Sequence, residues 1–183
     1  MSETTCIKET RRWLEHVIID NNFCPFAKRE LNRGSIYFHV DLQSTMEDVL
    51  FNLIEECKRL DTTATIETTL LIYPALFRNW DDFLELLDIA QQLLIEQGYE
   101  GIYQLASFHP DYCFEGAETD DPANFTNRSP YPTLHLLRES SLEQALEHYS
   151  NPELIPEQNI KKARQLGLEK MQLLLRNCYS NKK

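Results

Sequence analysis

The run Thr68-Thr-Leu-Leu-Ile-Tyr73, closed by Pro74, limits the fold more than any other stretch of the chain. It is continuously apolar after its threonines, which predicts a central strand buried on both faces. Such a strand needs a covering layer on each side of its sheet. Amphipathic helices flank it in sequence. Before it, Met46, Val49, Leu50, Leu53, Ile54 and Cys57 form one helical stripe, and Ser44-Thr-Met-Glu47 reads as its capping box. After it, a helix is expected from about Asn79 to Gln97. Phe83, Leu86, Leu87, Ala90, Leu93 and Leu94 lie on its core face, Asp81 and Asp82 at its positive end, and Gly98 just past its last turn.

The other elements follow from the same periodicities. Residues 5–20 form a first helix, with Cys6, Thr10, Trp13 and Val17 on one face, widened by Leu14 and Ile18. In Phe23-Cys24-Pro25-Phe26-Ala27, Pro25 suits the first position of a short helix and Cys24 its cap. Ser35 to Val40 alternates, Ile36, Phe38 and Val40 against Tyr37 and His39, and reads as a strand. Tyr99 to Phe108 gives a third strand and Thr133 to Arg138 a fourth. Ser140-Ser-Leu-Glu143 caps a helix through Tyr149 with Leu142, Ala145, Leu146 and Tyr149 inward, and a last helix reaches about Cys178 with Ile160, Ala163, Gly167, Met171, Leu174 and Cys178 on one stripe. Two right-handed crossovers make the first three strands parallel. The fourth, joined to the third by a loop alone, is free to run antiparallel. The expectation is one α/β domain over residues 1–183, a sandwich of about four strands with flanking helices and an N-terminal helix.

Between the third and fourth strands lies the stretch Ser107 to Thr133. It holds four prolines, one glycine and five acidic residues, and shows no periodicity. Connections longer than about 12–15 residues are usually functional or disordered. Phe108, Tyr112, Phe114, Phe125 and Tyr131 are large apolar groups that a solvated linker would not carry, so a packed functional loop is expected.

Charge narrows the partners. The chain carries 29 acidic and 18 basic residues, net −11, which leaves no basic excess to neutralise phosphates and disfavours nucleic acid. The N-terminus lacks the apolar core of a signal peptide, and no apolar run approaches a membrane span. Five cysteines, an odd number without Cys-x-x-Cys, supply no disulfide or zinc framework. The expectation is a cytoplasmic chain with reduced thiols.

Three motifs carry candidate chemistry. A cysteine at a helix start, followed by Lys28 and Arg29, is expected to favour thiolate. The turn looks like the Cys-Pro-Phe-Cys of glutaredoxin-like proteins, with Ala27 at the position of the resolving cysteine. The structural alternative is a buried thiol in a proline-directed turn. His109-Pro110-Asp111 follows the end of the third strand, where open sheets place ligands. There His109 serves as base, ligand or donor with Asp111 fixing its tautomer, or else as an anchor for the loop. Asn127-Arg128-Ser129-Pro130-Tyr131-Pro132 offers the Arg128 fork to an anion, with Asn127, Ser129 and Tyr131 around it and a Tyr131–Pro132 bond suited to the cis form. Its structural alternative is Arg128 paired with loop carboxylates such as Glu115, Glu118, Asp120 or Asp121. His39, His109 and His135 lack metal-binding spacing, so no metal is expected. His16 and His148 read as helix-surface residues. No glycine-rich phosphate loop or nucleophile elbow points to a cofactor.

Phe23-Cys-Pro-Phe-Ala-Lys28, His109-Pro-Asp-Tyr112 and Asn127-Arg-Ser-Pro-Tyr-Pro-Thr-Leu-His-Leu-Leu-Arg-Glu139 together resemble a bacterial family known as domain of unknown function 1415, over nearly the whole length. The resemblance implies a bacterial cytosolic protein and leaves reaction, substrate and cofactor to the residues. From these, the leading expectation is a small enzyme or ligand-binding protein. Its pocket joins Cys24, His109 and Arg128 around an anionic small molecule. The alternatives are an interaction module that presents loop 107–133, and a monothiol redox protein.

Overall fold

The computed structural model describes residues 2–147 and 149–180; His148 lies outside them. In chain order the elements are α1 (Glu3–Trp13), a π-helical turn (Leu14–Ile19), α2 (Ala27–Arg33), β1 (Ile36–Val40), α3 (Met46–Thr62), β2 (Thr68–Ile72), α4 (Trp80–Glu96) and β3 (Tyr103–Phe108). A 3-10 turn (Pro122–Thr126), β4 (Thr133–Arg138), α5 (Glu139–Glu147), a second 3-10 turn (Pro152–Leu154), α6 (Ile155–Leu166) and α7 (Leu168–Cys178) complete the chain.

The four strands form one sheet in the order β1-β2-β4-β3. β1 pairs parallel with β2, whereas β4 pairs antiparallel with both β2 and β3. The expectation that the first three strands are parallel is therefore corrected in its pairing: the sheet is mixed, only β1 and β2 pair in parallel, and β4, antiparallel as the loop left it free to be, sits between β2 and β3. The reason lies in the long loop. It returns the chain beside β3 in the opposite direction, and the Tyr73 N–H, donated to the Pro132 carbonyl at 2.9 Å, extends the β2–β4 ladder to the loop's end. β2 is buried along its whole length, as its apolar run requires.

Two layers cover the sheet. α3 and α4 place Val49, Leu53, Phe83 and Leu86 against Leu71, Leu134 and Leu136. α1, the π-helical turn, α6 and α7 place Trp13, Val17, Ala163 and Met171 against Phe38, Leu70 and Ile72. Each fully buried Leu, Ile or Phe contributes roughly 1.5–3 kcal/mol relative to exposure, so the two clusters hold the sheet from both sides.

Local chemistry sets the element ends. Thr45, one residue later than expected, caps α3 by accepting from the Asp48 N–H. Asn79, the expected start of α4, caps it by accepting from the Asp81 and Asp82 N–H groups. α2 begins at Ala27, not at Pro25, with Phe26 as its cap residue. β3 is shorter than read, because residues 99–102 form a turn. α5 starts at Glu139 directly from β4, without a Ser140 cap. The last helix is two helices: Gly167, at φ 81 and ψ 161, breaks it. Such a backbone is nearly confined to glycine.

Candidate functional site

A cavity of about 490 Å³ lies on the α1 face of the sheet, against α5. Its walls are chiefly apolar, including Trp13, Leu14, Ile18, Leu70 and Phe108. Cys24, Glu67, Thr68 and His135 supply polar groups to the same lining. α5 contributes Leu142 and Ala145, yet none of its residues is buried. It leans over the cavity instead of packing into a core.

The π-helical turn shapes one wall. The Asp20 N–H donates to the Glu15 carbonyl and the Phe23 N–H to the Ile18 carbonyl, both at 2.9 Å and both five residues back. That wider winding carries Leu14 and Ile18 to the cavity, and π turns recur at functional sites. The turn ends where Asn21 donates to the Val17 carbonyl at 2.9 Å.

Cys24 sits in the next turn. Buried Phe23 anchors that turn, and Asn159 of α6 donates to the Phe23 carbonyl at 2.7 Å. Phe26 packs edge-on against Tyr149 with ring centroids 5.8 Å apart. Burial pushes the Cys24 thiol above its ordinary range, against an opposite pull from the Phe26 and Ala27 backbone N–H groups. The expected thiolate is thus corrected: the helix-start effect is present, but the loss of water outweighs it.

His135, a strand histidine without metal-binding spacing in the sequence, takes a defined place here. Its Nε2 lies 2.7 Å from the Thr68 hydroxyl, and that hydroxyl donates its one proton to the Leu136 carbonyl at 2.6 Å. Thr68 must then accept from the imidazole, so Nε2 carries the hydrogen and Nδ1 the lone pair. Burial brings the pKa of His135 down to about 4, which keeps the ring neutral at neutral pH. Glu67 adds an Oε1 atom that is buried without a hydrogen-bond partner among the described residues. Strand alternation would have placed both Thr68 and His135 on the α1 face. No motif marks Glu67, which precedes β2.

The other expected residues lie elsewhere. His109 is fully buried, with its ring 5.1 Å from both Trp80 and Phe83 of α4. Its Nδ1 accepts from the Asp111 N–H at 3.0 Å, and its Nε2 donates to the Phe77 carbonyl at 2.9 Å. Both nitrogens are committed, and burial lowers the pKa. Phe77 holds that carbonyl in place at φ 57, an uncommon value for a bulky residue. Cys24 packs against the core cluster on the α1 face, whereas His109 packs against Phe83 of the opposite cluster. The expected Cys24–His109 pocket is not formed, because alternation along β3 sends Phe108 to one face and His109 to the other. His39 also lies on the α3 face, 3.1 Å from Glu56, so the three strand-associated histidines do not converge. Among the described residues no group of metal-binding side chains is assembled.

Arg128 also stands apart from the cavity. Its Nε donates to the Tyr112 carbonyl at 3.0 Å and its Nη2 to the Thr119 carbonyl at 2.8 Å, while the guanidinium lies 4.6 Å from the Phe125 ring centre. It ties the loop through backbone carbonyls and not through the loop carboxylates. Asp121 instead pairs with Arg164 of α6 at 2.6 Å. Ser129 donates to the Tyr131 carbonyl at 2.6 Å, and the Tyr131 hydroxyl donates to the buried Glu9 carboxylate. Asn127 accepts from the Thr126 hydroxyl at 2.9 Å. The Tyr131–Pro132 bond is trans, since no cis peptide occurs among the described residues. The loop's hub is Asn124, fully buried, which accepts from the Phe114 N–H and donates to the Glu118 carbonyl.

Fold and cavity define the class: a mixed-sheet α/β protein with helices on both faces and a chiefly apolar cavity between the sheet and α5, a helix with no buried residue. The chain belongs to the family described as Protein of unknown function (DUF1415), whose model matches residues 5–173. No curated protein and no solved structure matches the chain. No helix among the described residues is long and apolar enough to cross a membrane.

Proposed function

We propose that this protein binds a small molecule with an apolar body and at least one N–H or O–H donor, in the cavity against α5. The observation that carries the reading is a chiefly apolar space of about 490 Å³ whose lining includes Glu67, a residue with a buried Oε1 that has no hydrogen-bond partner among the described residues. Ligand pockets of about 300–1,000 Å³ typically combine apolar walls with a few placed polar groups. A buried carboxylate oxygen without a donor costs free energy that a ligand donor recovers. The His135 Nδ1 lone pair offers a second acceptor.

The same polar groups argue for a donor-bearing ligand in place of the anion expected from the sequence. Arg29 is paired with Glu30 at 3.2 Å, and the Arg138 guanidinium reaches to the Leu60 and Ile66 carbonyls and the Tyr103 hydroxyl, groups of the α3 and α4 cluster. Cys24, protonated through burial, is a wall group and weak donor in the resting protein. The interaction-module alternative gains no support from the loop, whose Phe125 and Tyr131 are buried.

Thermal-shift and ligand-detected NMR titrations with benzylamine, cyclohexylmethanol and toluene test the reading. The two donor-bearing probes should bind more tightly than toluene. Ala106→Phe, which fills the cavity from β3, should remove binding while leaving the fold intact by circular dichroism. No preference for the donor-bearing probes, or undiminished binding in the filled variant, overturns it.

A further inference from the structure

A second hollow, sharing no residue with the cavity, opens between the loop and α7. Its volume is about 390 Å³, and Phe125, Arg128, Gln172, Leu175, Arg176 and Tyr179 line it. Two of these are guanidinium groups. Among the described residues neither Arg128 nor Arg176 forms an ion pair, although the chain as a whole carries net charge −11.

Arg128 is preorganised. Its two carbonyl bonds and the Phe125 ring fix its plane, leaving the remaining N–H groups of the fork without a protein acceptor among the described residues. Carbonyls accept hydrogen bonds but do not neutralise charge. Burial disfavours the charged guanidinium, and Asp111 offsets this from a distance without an ion pair. Arg176, exposed on α7, faces the same hollow. Tyr179 is held at the rim by donating to the Pro130 carbonyl at 3.0 Å. Phe125, Leu175 and Tyr179 make much of the remaining wall apolar and aromatic.

We propose that this hollow is a binding site for a small carboxylate with an apolar body, its carboxylate held between Arg128 and Arg176. The guanidinium fork matches a carboxylate, and charge-assisted bonds of this kind are the stronger ones. The aromatic wall favours an apolar carboxylate over a bare inorganic anion. The site is independent of the ligand proposed for the cavity.

The Trp13 indole N–H donates to the Arg128 carbonyl at 2.8 Å, so it reports on this site. Because Trp13 also lines the cavity, the Gln172 side-chain amide, which lines the hollow alone, is followed beside it: benzoate titrated into the full-length ¹⁵N-labelled protein should shift both resonances saturably, whereas benzyl alcohol should leave Gln172 unmoved. Arg176→Gln, at an exposed position, should weaken benzoate by about tenfold or more, the loss of one charge-assisted pair, with Tm unchanged. Arg128→Lys should also weaken it. The cavity-filling Ala106→Phe variant should bind benzoate as the wild type does. Four results each overturn the proposal: no saturable shift of Gln172, an equal response of Gln172 to benzyl alcohol, benzoate affinity unchanged in Arg176→Gln, or benzoate binding lost in a folded Ala106→Phe variant.

Discussion

His135 and Cys24 show how burial reverses what each residue does in water. For His135 the folded pKa of about 4 lies below the ordinary 6.5. Between these values the unfolded chain binds a proton that the folded chain does not. Stability therefore falls as pH drops through that window and levels off below it. His109, shifted downward by its own burial, acts in the same direction. In His135→Gln the loss of stability from about pH 7 to about pH 4 should shrink by roughly 1–3 kcal/mol, read from urea midpoints at each pH. An unchanged acid limb would mean that the ring is not held neutral. For Cys24 the prediction concerns rate. With its thiol raised by burial, iodoacetamide at neutral pH should label it more slowly than partly exposed Cys113. It should label faster than the fully buried Cys57 and Cys178, whose thiols are pushed up to about 12 and about 11. Mass-spectrometric rates for each cysteine give the order, and a Cys24 faster than Cys113 would restore the reactive-thiol reading.

At the scale of elements, two breaks in regular winding do most to place the site. The π-helical turn directs Leu14 and Ile18 to the cavity, and Gly167 separates α6 from α7 so that each docks at its own angle. A Cβ at Gly167 would meet nothing within 4 Å, so the cost of a side chain there is conformational and not steric crowding by neighbours. Gly167→Ala should destabilise the protein by about 1–3 kcal/mol in urea unfolding. A neutral effect would show that the two helices can merge into one without loss of packing. The loop between β3 and β4 behaves as a third structural element. Asn124, Arg128 and the Asp121–Arg164 pair hold it through backbone carbonyls and a helix side chain, which explains how so long a segment is ordered without periodicity.

Across the whole molecule, packing is uneven. α3 and α4 are each anchored by several buried residues, and α5 by none. Local stability follows the number of buried apolar contacts. In hydrogen exchange the amides of α5 should exchange well before those of α3 and α4, and saturating benzylamine should slow α5 selectively. Exchange of α5 at the rate of α3 would remove the picture of a weakly held helix over the cavity.

What the sequence determined by itself was whatever rests on local periodicity and short-range chemistry. The buried run of β2, the bounds of β4, the start of α4 near Asn79, the core stripes of α3 and α4, and the packed character of the loop were all legible, because each depends on neighbours within a few residues. The family resemblance, too, was carried by contiguous motifs. Tertiary structure decided which strand lies beside which, since a loop of any sequence can return its chain to either side of β3. It also decided that Cys24 shares a cavity with His135 and not with His109. That choice depends on the face of the sheet to which each strand residue points, and on the helices that close over it. The direction of the Cys24 and His135 shifts followed from the same closure, because desolvation is a property of the assembled surroundings and not of the residue's neighbours in sequence.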